Sequence, residues 1–178
     1  RRRPDIPILV VEGRGRGKAL EQTGVDLSWA KNLFGMANTT DPRKFYRVTK
    51  VLLMPSLWNE SFGLVAAEAM INGIPVLASS RGALPEVVGE GGLLLDIPAR
   101  YTPETRDVPT AAEVEPWVET IIRLWDDEEF YRGQSESALS WSERWHPERL
   151  RPLYVDFFGS VRPQPGPPIV LRTSESPR

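Results

Sequence analysis

The chain has 178 residues, a formal net charge of −2, 40% hydrophobic residues and no cysteine. A compact domain of this length buries roughly 70% of its unfolded surface, and the near balance of charge offers no electrostatic pull toward nucleic acid. The missing cysteines exclude disulfides, zinc–thiolate sites and thiol catalysis, and they fit a reducing compartment. The apolar runs are short, as at 8–11 (Ile-Leu-Val-Val) and 51–54 (Val-Leu-Leu-Met), whereas a bilayer-spanning helix needs about 20 residues. The arginines at positions 1–3 precede Pro4 and Asp5 with no long apolar segment behind them, unlike a secretory signal. They read as solvated charge, with a basic contact to a membrane surface as the alternative. The chain is therefore expected in the cytoplasm, peripheral to a membrane at most.

Short apolar runs alternate with helical segments along the chain. Residues 8–11 read as a fully buried strand, broken by Gly13, Gly15 and Gly17, and residues 31–35 as a second strand. Asp41-Pro42 opens a short helix, with aspartate as cap and proline at the first helical position. Residues 51–54 form another buried strand, stopped by Pro55. Residues 63–71 contain the good helix formers Leu64, Ala66, Ala67, Glu68, Ala69 and Met70, and Asn72-Gly73 supplies the stop. A strand over 75–78, a helical turn over 85–88 and a strand over 93–95 follow. Strands apolar on both faces, alternating with helices, imply an α/β fold: a Rossmann-like parallel sheet with helices on both faces.

After Asp96 the pattern changes. Pro98, Pro103 and Pro109 make 97–110 a loop, and helices are expected at about 111–125, 128–144 and 147–158. The spacing of Val118, Ile121, Ile122 and Trp125 supports the first of them. Residues 1–158 are read as one domain ending in these helices, and 159–178 as a proline-rich, disordered tail. No internal repeat is found.

Ligands of open parallel sheets bind at the carboxyl ends of the strands. Three loops fall there, at 13–17, 56–63 and 79–82. The middle loop runs from a buried strand through Glu60 into the amino end of the helix near Gly63. The N–H groups of Phe62, Gly63 and Leu64 would point outward with the helix dipole behind them, an expected anion site suited to phosphate. Glycine at 63 lets a phosphate approach the backbone. Glu60 precedes the helix and Glu68 lies more than a turn inside it, and carboxylates accept paired hydrogen bonds from neighbouring hydroxyls of a sugar or ribose. Dipole complementation by Glu60 and plain solvation of Glu68 are the competing readings. No charged residue lies within four positions of Glu68 on the helix, so a carboxylate there wants a partner.

The run Pro55-Ser56-Leu57-Trp58-Asn59-Glu60-Ser61-Phe62-Gly63-Leu64-Val65-Ala66-Ala67-Glu68-Ala69-Met70, then Gly73-Ile74-Pro75-Val76 and Gly82-Ala83-Leu84-Pro85-Glu86-Val87-Val88, resembles the retaining glycosyltransferases of the GT-B fold. That group includes sucrose synthases, glycogen synthases and bacterial mannosyltransferases. Its signature is two glutamates separated by seven residues, matched here by Glu60 and Glu68, and the resemblance covers about residues 1–158. It implies the C-terminal, donor-binding half of such a fold. Glu60 would be the catalytic-site carboxylate on the donor-sugar hydroxyls. Ser61 and the backbone amides of Phe62, Gly63 and Leu64 would hold sugar and diphosphate oxygens. Glu68 would bind the ribose hydroxyls, and the turn near Met36 would lie against the nucleobase. Transfer would retain anomeric configuration, with the leaving diphosphate assisting the acceptor, so no protein nucleophile is required. No metal and no cofactor are expected beyond the nucleotide-diphosphate sugar as co-substrate.

The family's diphosphate-neutralising arginine and lysine, its first strand and its acceptor-binding N-terminal domain are all expected to lie upstream of Arg1. The isolated chain is accordingly expected to be inactive. Arg14, Arg16 and Lys18 are candidate substitutes for the missing cations, against the reading of solvated charge in a glycine-rich turn, and Arg81 is another candidate phosphate contact. His146 reads as structural. Trp117, Trp125, Trp141 and Trp145 read as packing, while Trp58 is a candidate wall of the donor pocket. The alternatives are a non-catalytic nucleotide- or sugar-binding module acting through a partner chain, and a GT-B relative such as a nucleotide-sugar epimerase. The glutamate spacing speaks against the last.

Overall fold

The computed structural model describes residues 2–12 and 30–161. The chain divides into two compact units, Arg1–Glu143 and Arg144–Arg178. The first carries β1 (Ile8–Glu12), β2 (Leu33–Ala37), α1 (Arg43–Tyr46), β3 (Leu52–Met54), α2 (Leu64–Ile71), β4 (Val76–Ser79), α3 (Leu84–Val88), a 3₁₀ turn (Gly89–Gly91), β5 (Leu93–Leu95), α4 (Ala111–Asp126) and α5 (Glu128–Ser142). Every strand pair is parallel. β1 pairs with β2, Val10 opposite Gly35, and β3–β4–β5 form a second sheet, with Leu53 opposite Leu77 and Ala78 opposite Leu94. Parallel neighbours need a crossover; α2 joins β3 to β4 and α3 joins β4 to β5. The fold is α/β and Rossmann-like, as the alternation of strands and helices predicts.

Burial is less even than apolarity alone suggests. β4, central in its sheet, is buried along its whole length. Leu53 of β3 is 43% exposed, and Ile8, Leu9, Val10 and Val11 of β1 are exposed, as is Phe34 of β2. The expectation of a fully buried strand at 8–11 is corrected. The β1–β2 ribbon is not hydrogen-bonded to the other sheet, and among the described residues no layer closes over it. A run of apolar residues is buried on both faces only where a layer lies on each side.

The core instead gathers around β4 and α2: Ala66, Ala69, Met70, Val76, Leu77, Leu84, Val88, Leu124 and Ala138 have no exposed surface. α2 ends as its sequence requires. Gly73 adopts a left-handed φ of 67°, Gly73 N–H donates to Met70 O and Ile74 N–H to Ala69 O, the paired bonds of a Schellman stop. Trp141 of α5 donates Nε1–H to Val87 O at 2.8 Å, and its ring lies where side chains on Gly89 and Gly91 would otherwise sit. That tryptophan is packing, as expected from its spacing. Lys50 donates to Trp125 O at 3.1 Å and lies 4.9 Å from the centroids of both the Trp125 and Tyr131 rings.

α4 opens on a reciprocal capping box, in which Thr110 Oγ1 accepts from Glu113 N–H and Glu113 Oε2 accepts from Thr110 N–H at 2.9 Å. Arg2 pairs with Glu115, and Arg3 with Asp5 and Asp126. These two arginines are thus neutralised by acids of their own chain, mostly of α4, rather than left as a free basic patch. In the second unit α6 (Pro147–Ser160) buries no residue, and Leu153, Tyr154, Val155, Phe157 and Phe158 are exposed along it. The expected disordered tail at 159–178 lies outside the described residues from 162 onward. No helix among the described residues is long and apolar enough to cross a membrane.

Candidate functional site

The loops at 56–63 and 79–82, which leave β3 and β4, meet as expected. Ser79 is fully buried and its Oγ–H donates to Ser56 O at 2.8 Å. Ala83 N–H donates to Glu60 O at 2.8 Å. Gly82, at φ 56°, lies so close that a Cβ there would overlap the backbone N and O of Glu60. Glycine is needed at 82 both for its left-handed backbone and for the contact that seats Glu60. The loop at 13–17 lies outside the described residues, with Arg14, Arg16 and Lys18.

The Glu60 side chain is partly buried and is held from its own loop. Ser56 Oγ lies 3.0 Å from Glu60 Oε1 and 3.2 Å from Trp58 O, and Trp58 N–H donates to the same Oγ at 3.2 Å. A hydroxyl has one proton, and the charged, nearer carboxylate is its better acceptor. The loop thereby presents Glu60 with one oxygen occupied and the other carrying no hydrogen bond among the described residues. Trp58 is 62% exposed beside it.

α2 begins at Leu64, with Gly63 as its cap at φ 85°. The first N–H groups to bond within the helix are those of Ala66 and Ala67, both to Gly63 O. Those of Gly63, Leu64 and Val65 have no acceptor among the described residues, which leaves an amino end with donors to offer an anion. The glycine has a further reason than close approach of a ligand. A Cβ at 63 would fall 2.7 Å from Leu84 Cδ2, so the residue also lets α3 pack beneath the loop. Ser61, Phe62 and Leu64 are exposed around this end.

Glu68 is partly buried in α2, and its partner comes from elsewhere in the chain. Tyr46, at the end of α1 and only 7% exposed, places its hydroxyl 2.9 Å from Glu68 Oε2 and 3.1 Å from Val65 O. Burial first, and the neighbouring Glu68 second, push the Tyr46 hydroxyl well above the usual tyrosine value, so it stays a donor through the neutral range. The expectation that this carboxylate needs a partner is met by a neutral hydroxyl, not a cation. Ser56 and Tyr46 are the residues that the sequence left unmarked. Ser56 precedes Glu60 by four positions in a turn-rich run, a local cue. Tyr46 lies 22 positions from Glu68, with no local cue at all.

Met36 stands inside β2, opposite Val11, rather than in the turn, because the strand runs two residues past Gly35 and the chain turns only after Ala37. Arg81 directs Nη2 to three carbonyls, of Ile97, Pro98 and Tyr101, at 3.0 to 3.2 Å. Through that nitrogen it staples the loop after β5. His146 caps α6, its Nδ1 accepting from Glu148 N–H at 3.4 Å, a structural role as expected.

Parallel strands with α2 and α3 as crossovers, and two glutamates disposed about an open helix amino end, define a Rossmann-like α/β protein with a candidate anion- and hydroxyl-binding site. The family model described as Glycosyl transferases group 1 matches residues 8–141, and the chain belongs to that family. The chain is 30% identical over 179 residues to D-inositol 3-phosphate glycosyltransferase of Corynebacterium urealyticum, covering 93% of this chain and 39% of that protein. A shorter match, 51% over 67 residues, links it to the enzyme of the same name from Streptomyces avermitilis, over 35% of this chain and 14% of that one. Among solved structures, Anabaena Alr3699/HepE in complex with UDP-glucose superposes with a TM-score of 0.67 at 22% identity, over 89% of this chain and 42% of that one. Sucrose-phosphate synthase from Thermosynechococcus elongatus gives 0.61 at 23% identity, over 89% and 41%. At such identities the structures establish the fold. The chain spans well under half the length of these relatives.

Proposed function

We propose that the chain is the C-terminal, donor-binding half of a retaining GT-B glycosyltransferase that moves a sugar from a nucleotide-diphosphate sugar to an acceptor hydroxyl. The observation that carries this reading is the open amino end of α2 between Glu60 and Glu68. The unpaired N–H groups of Gly63, Leu64 and Val65 suit diphosphate oxygens, and each flanking carboxylate keeps an oxygen for ligand hydroxyls. Glu60, on the loop that enters the helix, takes the donor-sugar hydroxyls, with Ser61 and the amides of Phe62, Gly63 and Leu64 on the sugar and diphosphate. Glu68 takes the ribose, and the backbone that follows β2, just past Met36, meets the nucleobase. The leaving diphosphate assists the acceptor, so the site needs no nucleophile of its own, and the acceptor is held by an N-terminal domain that this chain does not include.

Calorimetric titration with UDP-glucose, GDP-mannose and ADP-glucose tests the reading. One of the three binds, and Glu60→Ala and Glu68→Ala each weaken it about tenfold or more, since a hydrogen bond to a charged group contributes roughly 1.5–3 kcal/mol. A folded chain that binds none of them, or affinities untouched by both substitutions, refutes the donor site. Sugar transfer by the isolated chain would refute the division into two halves.

A further inference from the structure

Glu68 reaches its place on a flexible side chain, and α2 itself supplies no group to fix it. The group that does so belongs to α1. Tyr46 is buried, and its hydroxyl has a backbone acceptor of its own in Val65 O at 3.1 Å. That bond alone would satisfy the phenol. Glu68 is only partly buried, so water could serve its charge. Neither group needs the other to be tolerated in the fold, yet Tyr46 Oη and Glu68 Oε2 are 2.9 Å apart, and the single phenolic proton goes to this nearer, charged acceptor rather than to Val65 O. The contact does have a geometric consequence. It occupies Oε2 and sets the carboxylate plane, which leaves Oε1 with its acceptor capacity in one orientation. A carboxylate that must accept from two adjacent hydroxyls gains from such pre-alignment, because rotamer freedom is lost before the ligand arrives.

We propose that Tyr46 is a positioning residue of the donor site, whose hydroxyl aligns Glu68 to receive the ribose hydroxyls of a nucleoside diphosphate. The proposal rests on the assignment of Glu68 to the ribose made above. Its signature is selectivity rather than affinity alone: Tyr46 acts on the part of the ligand that Glu68 touches and on no other part.

The experiment compares UDP with 2′,3′-dideoxy-UDP, and likewise GDP and ADP with their dideoxy forms, on wild type, Tyr46→Phe, Glu68→Ala and the double variant, each checked by thermal unfolding. Wild type prefers the ribose form, and Glu68→Ala abolishes the preference. Tyr46→Phe reduces the preference about three- to tenfold, the worth of one hydrogen bond, while the affinity for the dideoxy form stays put. In the Glu68→Ala background, Tyr46→Phe changes nothing further. If Tyr46→Phe keeps the full preference while Glu68→Ala loses it, the positioning role is overturned and the ribose assignment stands. If wild type shows no preference for ribose, or binds no nucleotide, the assignment itself fails and takes the proposal with it. Should Tyr46→Phe not fold, Tyr46→His serves instead, since it removes the phenol and leaves Glu68 intact. A reduced preference with the dideoxy affinity unchanged supports the proposal, and a wild-type preference overturns it.

Discussion

Alanine at position 82 probes the contact that seats Glu60, and alanine at position 73 supplies its control. Both glycines adopt a left-handed backbone, at φ 56° and 67°, so each substitution incurs the strain of an L-residue there, about 1–2 kcal/mol. They differ in what the new methyl meets. At 73 it meets Leu139 Cδ1, Leu139 Cγ and Ser135 Oγ at 3.3 Å, side-chain atoms that can give way. At 82 it overlaps the backbone of Glu60, with Ala83 N–H bonded to Glu60 O nearby. Moving that backbone adds about 1–3 kcal/mol. Gly82→Ala should therefore destabilise by about 2–5 kcal/mol and Gly73→Ala by about 1–2 kcal/mol. At about 3 °C per kcal/mol for a domain of this size, Tm falls by roughly 6–15 °C and 3–6 °C. Calorimetric titration with the best-bound nucleotide sugar adds the functional readout, in which Gly82→Ala loses affinity and Gly73→Ala keeps it. Equal losses of stability and equal affinities in the two variants would refute the claim that close backbone approach at Gly82 places Glu60.

Three further substitutions test other parts of the account. The Thr110 backbone N–H, the Thr110 hydroxyl and the Tyr101 hydroxyl, in that order, hold the Glu113 carboxyl down from 4.5 to about 2. A depressed carboxyl stabilises the fold fully above pH 4.5 and loses that effect as pH falls through about 2. The Tm gap between wild type and Glu113→Gln should therefore be widest near pH 6 and close toward pH 2, and a gap constant across that range contradicts the capping box as described. Arg81→Met removes three carbonyl contacts from the loop after β5 and should speed proteolysis within residues 97–110 while nucleotide affinity holds; a tenfold loss of affinity would return Arg81 to the phosphate. Trp141→Phe leaves the Val87 carbonyl without its partner and should destabilise by about 1–3 kcal/mol in urea unfolding, an expectation that an unchanged midpoint would defeat.

What the sequence makes legible follows from the range of the interactions involved. Helix α2, from Leu64 to the stop at Gly73, is specified by its own residues, because formers and a C-terminal glycine act within a few positions. α4 and α5 are legible for a similar reason, since apolar spacing marks the face of a helix wherever it packs. Burial of the strands is not, because it depends on layers contributed from elsewhere in the chain. Ile8 to Val11 and Val76 to Ala78 are both apolar, yet only the second is enclosed. The candidate site divides in the same way. Glu60, Gly63 and Glu68 fall in one contiguous motif, and the helix amino end follows from their order. Gly82 and Tyr46 act across folded distances, as does Arg81, whose carbonyl acceptors lie 16 to 20 positions downstream.

The carboxylates of this chain differ in the kind of partner that holds them. Asp41 and Asp5 are each gripped by both arms of an arginine. Arg43 Nε reaches Asp41 Oδ1 at 2.7 Å and Nη2 reaches Oδ2 at 3.1 Å, and Arg3 does the same to Asp5 at 2.9 and 2.7 Å. A fork of this kind occupies both oxygens and cancels the charge. Glu60 and Glu68 receive one hydroxyl each, from Ser56 and Tyr46, which orients the group but leaves its charge and most of its acceptor capacity intact. A carboxylate meant only to stabilise a surface is well served by the first arrangement. One that must accept hydroxyls from a passing sugar requires the second, and in this chain the second arrangement holds both carboxylates of the glutamate pair.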